Sequence, residues 1–104
     1  MNLDTFNRIV QNQLIRCRET LDRKGEEYVF GNDRLEHFKT SATEQDTTPK
    51  QALWSMASKH STSLAAMCKS ANSFPLNLWQ EKAGDLINYC LLLMALVFEE
   101  NENG

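Results

Sequence analysis

Residues 78–100 read LWQEKAGDLINYCLLLMALVFEE. The run Tyr89–Phe98 is apolar throughout. It is about half the length of a membrane-spanning helix, so it reads as a buried helix, and no membrane association is expected. Beyond Tyr89 this helix is apolar almost all round, and one neighbouring helix cannot cover it. Other helices of the chain, and a second copy in a dimer or higher homo-oligomer, are the expected cover. Its first half is different. At about 100° per residue, Glu81, Asp85 and Asn88 fall within a narrow arc. Lys82 and Tyr89 stand together about a quarter turn away.

The preceding helix is marked at its start. Thr48 suits the N-cap, Pro49 the first helical position, and Gln51 the return bond of a capping box. Its stripe is Leu53, Met56, Ala57, His60, Leu64, Met67, Cys68 and Ala71, so the helix is expected over Pro49–Ala71. NSFPLN breaks it, and Asn77 is an expected cap for the last helix, Leu78–Glu100. Further upstream, RLEHFKTSA suits a short helix capped by Asp33. Phe30–Asp33 (FGND) reads as a turn. The first helix is expected over Leu3–Tyr28, with a stripe of Leu3, Phe6, Val10, Leu14, Cys17, Leu21 and Tyr28 at three-and-four spacing. Gly25 interrupts that stripe. No strand pattern or repeat is visible. The expectation is an all-α single domain over residues 1–100: three long helices and one short one in an antiparallel bundle, completed by oligomerisation. Residues 101–104 read as a disordered polar tail.

The 104 residues carry 11 basic and 14 acidic side chains, a net charge of −3. That is too mild a balance for direct electrostatic binding to nucleic acid or for a strong nucleic-acid mimic. Cys17, Cys68 and Cys90 are odd in number and widely spaced, and they read as reduced thiols of a cytoplasmic protein. All three fall at apolar helical positions, where packing is the usual role. The N-terminus lacks the apolar core of a signal peptide. There is no glycine-rich phosphate loop and no serine nucleophile elbow. Trp54 and Trp79 lie near helix starts, where they cover the bundle end or stack on a base.

The polar ridge of the last helix has two readings. It is a solvated face, or its carboxylates are partly buried and must pair, protonate or bind a cation. Two carboxylates on successive turns repel, and magnesium between them removes the repulsion. A further ligand from the first helix completes such a site. Glu27, near the edge of the apolar stripe, is the better candidate; Glu26 points away, and Glu19 and Asp22 read as surface charges. His60 lies on the third stripe, either as a core residue or as a partner of Asp85. Lys59 is placed to balance Glu81 or meet a phosphate.

Three segments, KGEEYVFGNDRLEHFKTSA, TPKQALWSMASKH and WQEKAGDLINYCLLLMAL, resemble a family of small bacteriophage and prophage proteins with K-x-x-E-Y, D-R-L-x-x-F, K-H and E-K-x-x-D-x-x-N-Y in that order. In outline that family is similar to the MazG-like all-α nucleoside triphosphate pyrophosphohydrolases. The resemblance implies an oligomeric, magnesium-dependent helical enzyme in the host bacterial cytoplasm. It implies metal ligation by Glu81, Asp85 and Glu27 (or Glu26), with Glu81 and Asp85 catalytic. Arg34, Lys59 or Lys82 would meet phosphate, with Asn88 or Tyr89 orienting the substrate beside His60. The acidic spacing departs from the family's E-x-x-E and E-x-x-D: Lys82 precedes Asp85 by three, Lys24 precedes Glu27, and Arg23 precedes Glu26. Two other expectations therefore stand beside the enzyme. One is a non-catalytic module that binds a nucleotide or a host defence protein. The other is a structural bundle in which Glu81 or Asp85 pairs with Lys59 or His60.

Overall fold

The capping box is formed at the start of α3 (Pro49–Lys69): the Thr48 hydroxyl accepts from the Gln51 amide, and the Gln51 side chain returns to the Thr48 backbone. The computed structural model describes residues 1–28 and 32–103, with only the backbone of Tyr28 and Asn103. Within these residues the chain forms α1 (Leu3–Tyr28), α2 (Glu36–Glu44), α3 and α4 (Leu76–Asn103), and no strand. This is the expected all-α arrangement of three long helices and one short one. Residues 101–103 continue α4 rather than forming a tail. The turn expected at Phe30–Asp33 falls partly outside the described residues.

The helix starts differ from expectation in two places. Asp33 does not cap α2 directly. Its Oδ1 accepts from the Leu35 amide at 2.9 Å, closing an Asx-type turn one step before the helix. At α4 the Pro75 carbonyl accepts from Leu78 and Trp79, so Pro75 occupies the cap and Asn77 lies inside the helix. Phe74 then meets Trp79 edge-on with ring centroids 6.0 Å apart, a hydrophobic staple that fixes the entry angle of the helix. This contact gives Trp79 a packing role at the helix start. α2 ends in a Schellman motif. Thr47 donates to the Ala42 carbonyl at 2.9 Å and Asp46 to Thr43 at 3.3 Å. Asp46 takes the left-handed conformation (φ 54°) that the motif requires.

The apolar core joins α2, α3 and α4. Leu35, Phe38, Leu53, Ala57 and Leu96 form its centre, with Met56, Tyr89, Leu92 and Leu93 packed against it. Truncating the fully buried Leu53 to alanine costs about 2–5 kcal/mol. α3 and α4 run antiparallel: Lys50 pairs with Glu100 at 3.0 Å, and His60 reaches Asp85 at 3.6 Å. Lys39 ties α2 to α4, lying 2.6 Å from Asp33 and 2.6 Å from Glu99.

α1 lies on α4 in the same direction. Gln13 Nε2 donates to the Gln80 carbonyl at 3.0 Å, and the Cys17 thiol lies 3.9 Å from the Gly84 carbonyl. Both pairs are 67 residues apart, the constant offset of a parallel pair. The helices approach through small side chains. A Cβ on buried Gly84 would stand 3.1 Å from Gln13 Nε2 and 3.6 Å from Cys17 Sγ. Because α4 begins at Leu76, the same offset leaves the first turns of α1 without a neighbour. Leu3 and Phe6, expected as core, are therefore exposed; Val10 and Leu14, also expected as core, lie alongside α4 but on its outer side and are exposed as well. Of the three cysteines expected in the core, Cys17 is buried, while Cys68 and Cys90 are exposed. They sit on the outer sides of α3 and α4, exposed among the described residues.

Candidate functional site

The parallel seam of α1 and α4 opens into two adjoining hollows where α2 approaches. One, of about 200 Å³, has apolar walls from Leu21, Phe38 and Leu92 and polar walls from Lys24, Arg34, Asp85 and Asn88. The other, of about 250 Å³, is lined by Arg16, Arg23, Lys24, Glu81, Gly84 and Asp85 among others. Thr20, Lys24 and Asp85 belong to both, so the two hollows form one bent cleft. Its described charged walls are four permanent cations (Arg16, Arg23, Lys24 and Arg34) against two carboxylates (Glu81 and Asp85). A chain of net charge −3 thus gathers a local positive excess here, which favours an anionic ligand.

Each wall is positioned by its helix. Asn88 is buried, and its Nδ2 donates to the Cys17 carbonyl at 3.1 Å. That bond fixes the orientation of the carboxamide. Its Oδ1 is buried and has no hydrogen-bond partner among the described residues. A buried acceptor left unpaired costs about 1–3 kcal/mol. Arg34 crosses α1 to donate from Nη2 to the Leu21 carbonyl at 3.3 Å. It crosses at Gly25, where a Cβ would lie 3.0 Å from Arg34 Nε. The glycine that interrupts the sequence stripe therefore leaves room for an arginine from the turn before α2. Asp85 faces His60 Nδ1 at 3.6 Å, an ion contact when the imidazole is protonated. The His60 ring also lies against Tyr89, centroids 5.1 Å apart.

Of the residues expected to form the site, Arg34, Asp85, Asn88 and Tyr89 line the first hollow, and Glu81 lines the second. His60 stands behind Asp85. Lys59 is exposed and Lys82 half-buried, and neither is among the described residues lining the cleft. They lie toward the α3 side of α4, away from the α1 seam. Glu27 is exposed and does not join Glu81 and Asp85: among the described residues no three His, Cys, Asp or Glu side chains come together as a metal-binding group. The physical reason is the parallel register. It sets Thr20 and Lys24 of α1 beside Asp85, one to two turns before Glu27.

Arg16, Thr20 and Arg23 line the cleft without belonging to any acidic motif. Their pattern is nonetheless visible: at about 100° per residue they fall in one 60° arc flanking the Cys17–Leu21 stripe. No family model, curated protein or solved structure matches this chain.

Proposed function

We propose that the chain is a non-catalytic binding module for a nucleotide or a closely similar small anion, held in the cleft between α1, α2 and α4. The observation that carries this reading is the cation-rich lining of the cleft, Arg16, Arg23, Lys24 and Arg34, beside Asn88, whose buried Oδ1 has no partner among the described residues. The cations are satisfied by the anionic part of a ligand, and a small shift of the Asn88 carboxamide would offer its oxygen to a ligand N–H or O–H. A nucleotide has both: amino and ring N–H groups on the base, and phosphates. The apolar walls Leu21, Phe38 and Leu92 suit the faces of a base. The arginines of the second hollow offer planar forks to phosphate oxygens.

The magnesium expectation was tested on the donor set. Glu81 and Asp85 share the second hollow, but their neighbours there are Arg16, Arg23 and Lys24, and no third acid completes the group among the described residues. Within one chain these donors do not suit a magnesium ion, which takes oxygen ligands and is disfavoured by adjacent cations. No hydrolytic step follows from this geometry. The structural-bundle reading accounts for the His60–Asp85 contact and for the Arg34–Leu21 bond, and it leaves Asn88 Oδ1 and the clustering of Arg16, Arg23 and Lys24 without a role.

The test is a panel of ribo- and deoxyribonucleoside mono- and triphosphates, scored for thermal stabilisation and for released pyrophosphate, with and without magnesium. The proposal expects concentration-dependent stabilisation and no pyrophosphate. Magnesium-dependent release of pyrophosphate that is lost in Asp85→Asn would replace it with the hydrolase reading. No stabilisation by any member would leave the bundle reading standing.

A further inference from the structure

The seam of α1 and α4 has a second side. Opposite the polar cleft, Ile9, Val10 and Leu14 of α1 and Trp79, Ala83 and Ile87 of α4 line an apolar groove. The groove continues down α4. Ala83, Ile87, Cys90, Leu91, Met94 and Phe98 fall within about 100° of one another on that helix, and none is charged. Ala83, Ile87, Cys90 and Met94 repeat at four-three-four spacing, the seam pattern of paired helices. From Ala83 to Phe98 the stripe runs about 23 Å at 1.5 Å per residue. Exposure is 49% at Ile9, 39% at Val10, 54% at Leu14, 49% at Leu91, 61% at Met94 and 66% at Phe98. At roughly 200 Å² per large side chain these leave on the order of 650 Å² of apolar surface. That exceeds the roughly 300–600 Å² of the largest patch on a typical monomer. It approaches the ~800 Å² that each partner contributes to a stable interface.

We infer that this face is a two-fold interface with a second copy of the chain, α4 packing antiparallel on its mate with the axis near Cys90. Three features favour a second copy over another occupant. The area comes near what each partner of a stable dimer contributes. The uncharged stripe offers no electrostatic contact to a charged partner. The helical seam is complementary to another helix of the same pattern, which a two-fold operation supplies. Glu81 and Asp85 lie about 160° around α4 from Ala83 and Ile87, so closing this face leaves the polar cleft open. The inference does not depend on what the cleft binds.

The test is molar mass in solution by light scattering after size exclusion, with helical circular dichroism as the folding control. Wild type is expected at twice the 11.9 kDa chain mass. Met94→Lys and Phe98→Glu, both on exposed positions, are expected at the single mass with unchanged helicity. In a Cys68→Ser background, copper-phenanthroline oxidation should link two chains through Cys90, and Cys90→Ser should abolish the link. Wild type at the single mass up to near-millimolar concentration would overturn the inference. So would a dimer that both charged variants leave intact. A single-mass wild type whose binding to neutral phospholipid vesicles is lost in Met94→Lys would assign the face to lipid and equally overturn it. A dimer that never crosslinks at Cys90 would overturn the register.

Discussion

Asn88 on α4 donates from Nδ2 to the backbone carbonyl of Cys17 on α1 at 3.1 Å, across 71 residues of chain. One amide thus does two things. It joins the parallel helices beside the cleft, and it leaves its own oxygen buried without a partner among the described residues. Asn88→Ala removes the bond and leaves a small cavity beside Cys17. We expect a loss of about 1–3 kcal/mol, read as a lower midpoint in urea unfolding, together with loss of nucleotide-dependent stabilisation. Asn88→Asp replaces the donor with a second acceptor facing the Cys17 carbonyl. It should be the more damaging change at neutral pH.

Gly25 separates binding from stability. Alanine there gains up to about 1 kcal/mol of helix propensity, while its Cβ, 3.0 Å from Arg34 Nε, displaces a flexible side chain from the cleft. Gly25→Ala is expected to unfold at the same or higher denaturant concentration and to bind anionic ligand more weakly. Equal binding would show that Arg34 takes no part.

Lys24 belongs to both hollows. Lys24→Ala should weaken nucleotide binding about tenfold, or about 1.4 kcal/mol. It should also flatten the salt dependence of the remaining affinity, because fewer charges are paired. Unfolding stability should change by less than about 0.5 kcal/mol, as for other surface substitutions.

Lys39 holds α2 to the end of α4 through Asp33 and Glu99. The hydrogen bond from Lys39 is the main cause of an Asp33 carboxyl held below its usual value of 3.8. Because the folded value is lowered, the stabilisation is fully present above about pH 4. It is lost as pH falls through the lowered folded value. These side chains are about one-third exposed, so solvent screening limits the effect. Lys39→Met should cost no more than about 1 kcal/mol at pH 7. The difference from wild type in urea unfolding should shrink as pH is taken from 5 to about 2.

The helices were legible in the sequence wherever local chemistry decides them. Thr48, Pro49 and Gln51 start α3 as their side chains dictate, and the bounds of α1 follow from its stripe. The direction of α1 was not legible, because a stripe records which face is buried and not which way the neighbour runs. The parallel register rests on Gly84, Cys17 and Gln13, of which only Cys17 belongs to a hydrophobic stripe. That register decides the site. It brings Asp85 and Asn88 to the cleft, and it sets Lys24, Arg16 and Arg23 there in place of Glu27. The exposed first turns of α1 and the outer face of α4 were unreadable for a related reason. Periodicity marks a surface as apolar without saying whether the same chain covers it.

The central claim is that the α1–α2–α4 cleft binds a nucleotide without turning it over. The most direct measurement is calorimetric titration of wild type and of Asn88→Ala with the nucleotide that most stabilises the protein, in magnesium-free buffer. The account predicts saturable binding by wild type at one site per chain and at least tenfold weaker binding by the variant. Equal affinity of the two proteins, or no heat of binding to wild type with any nucleotide, would contradict it.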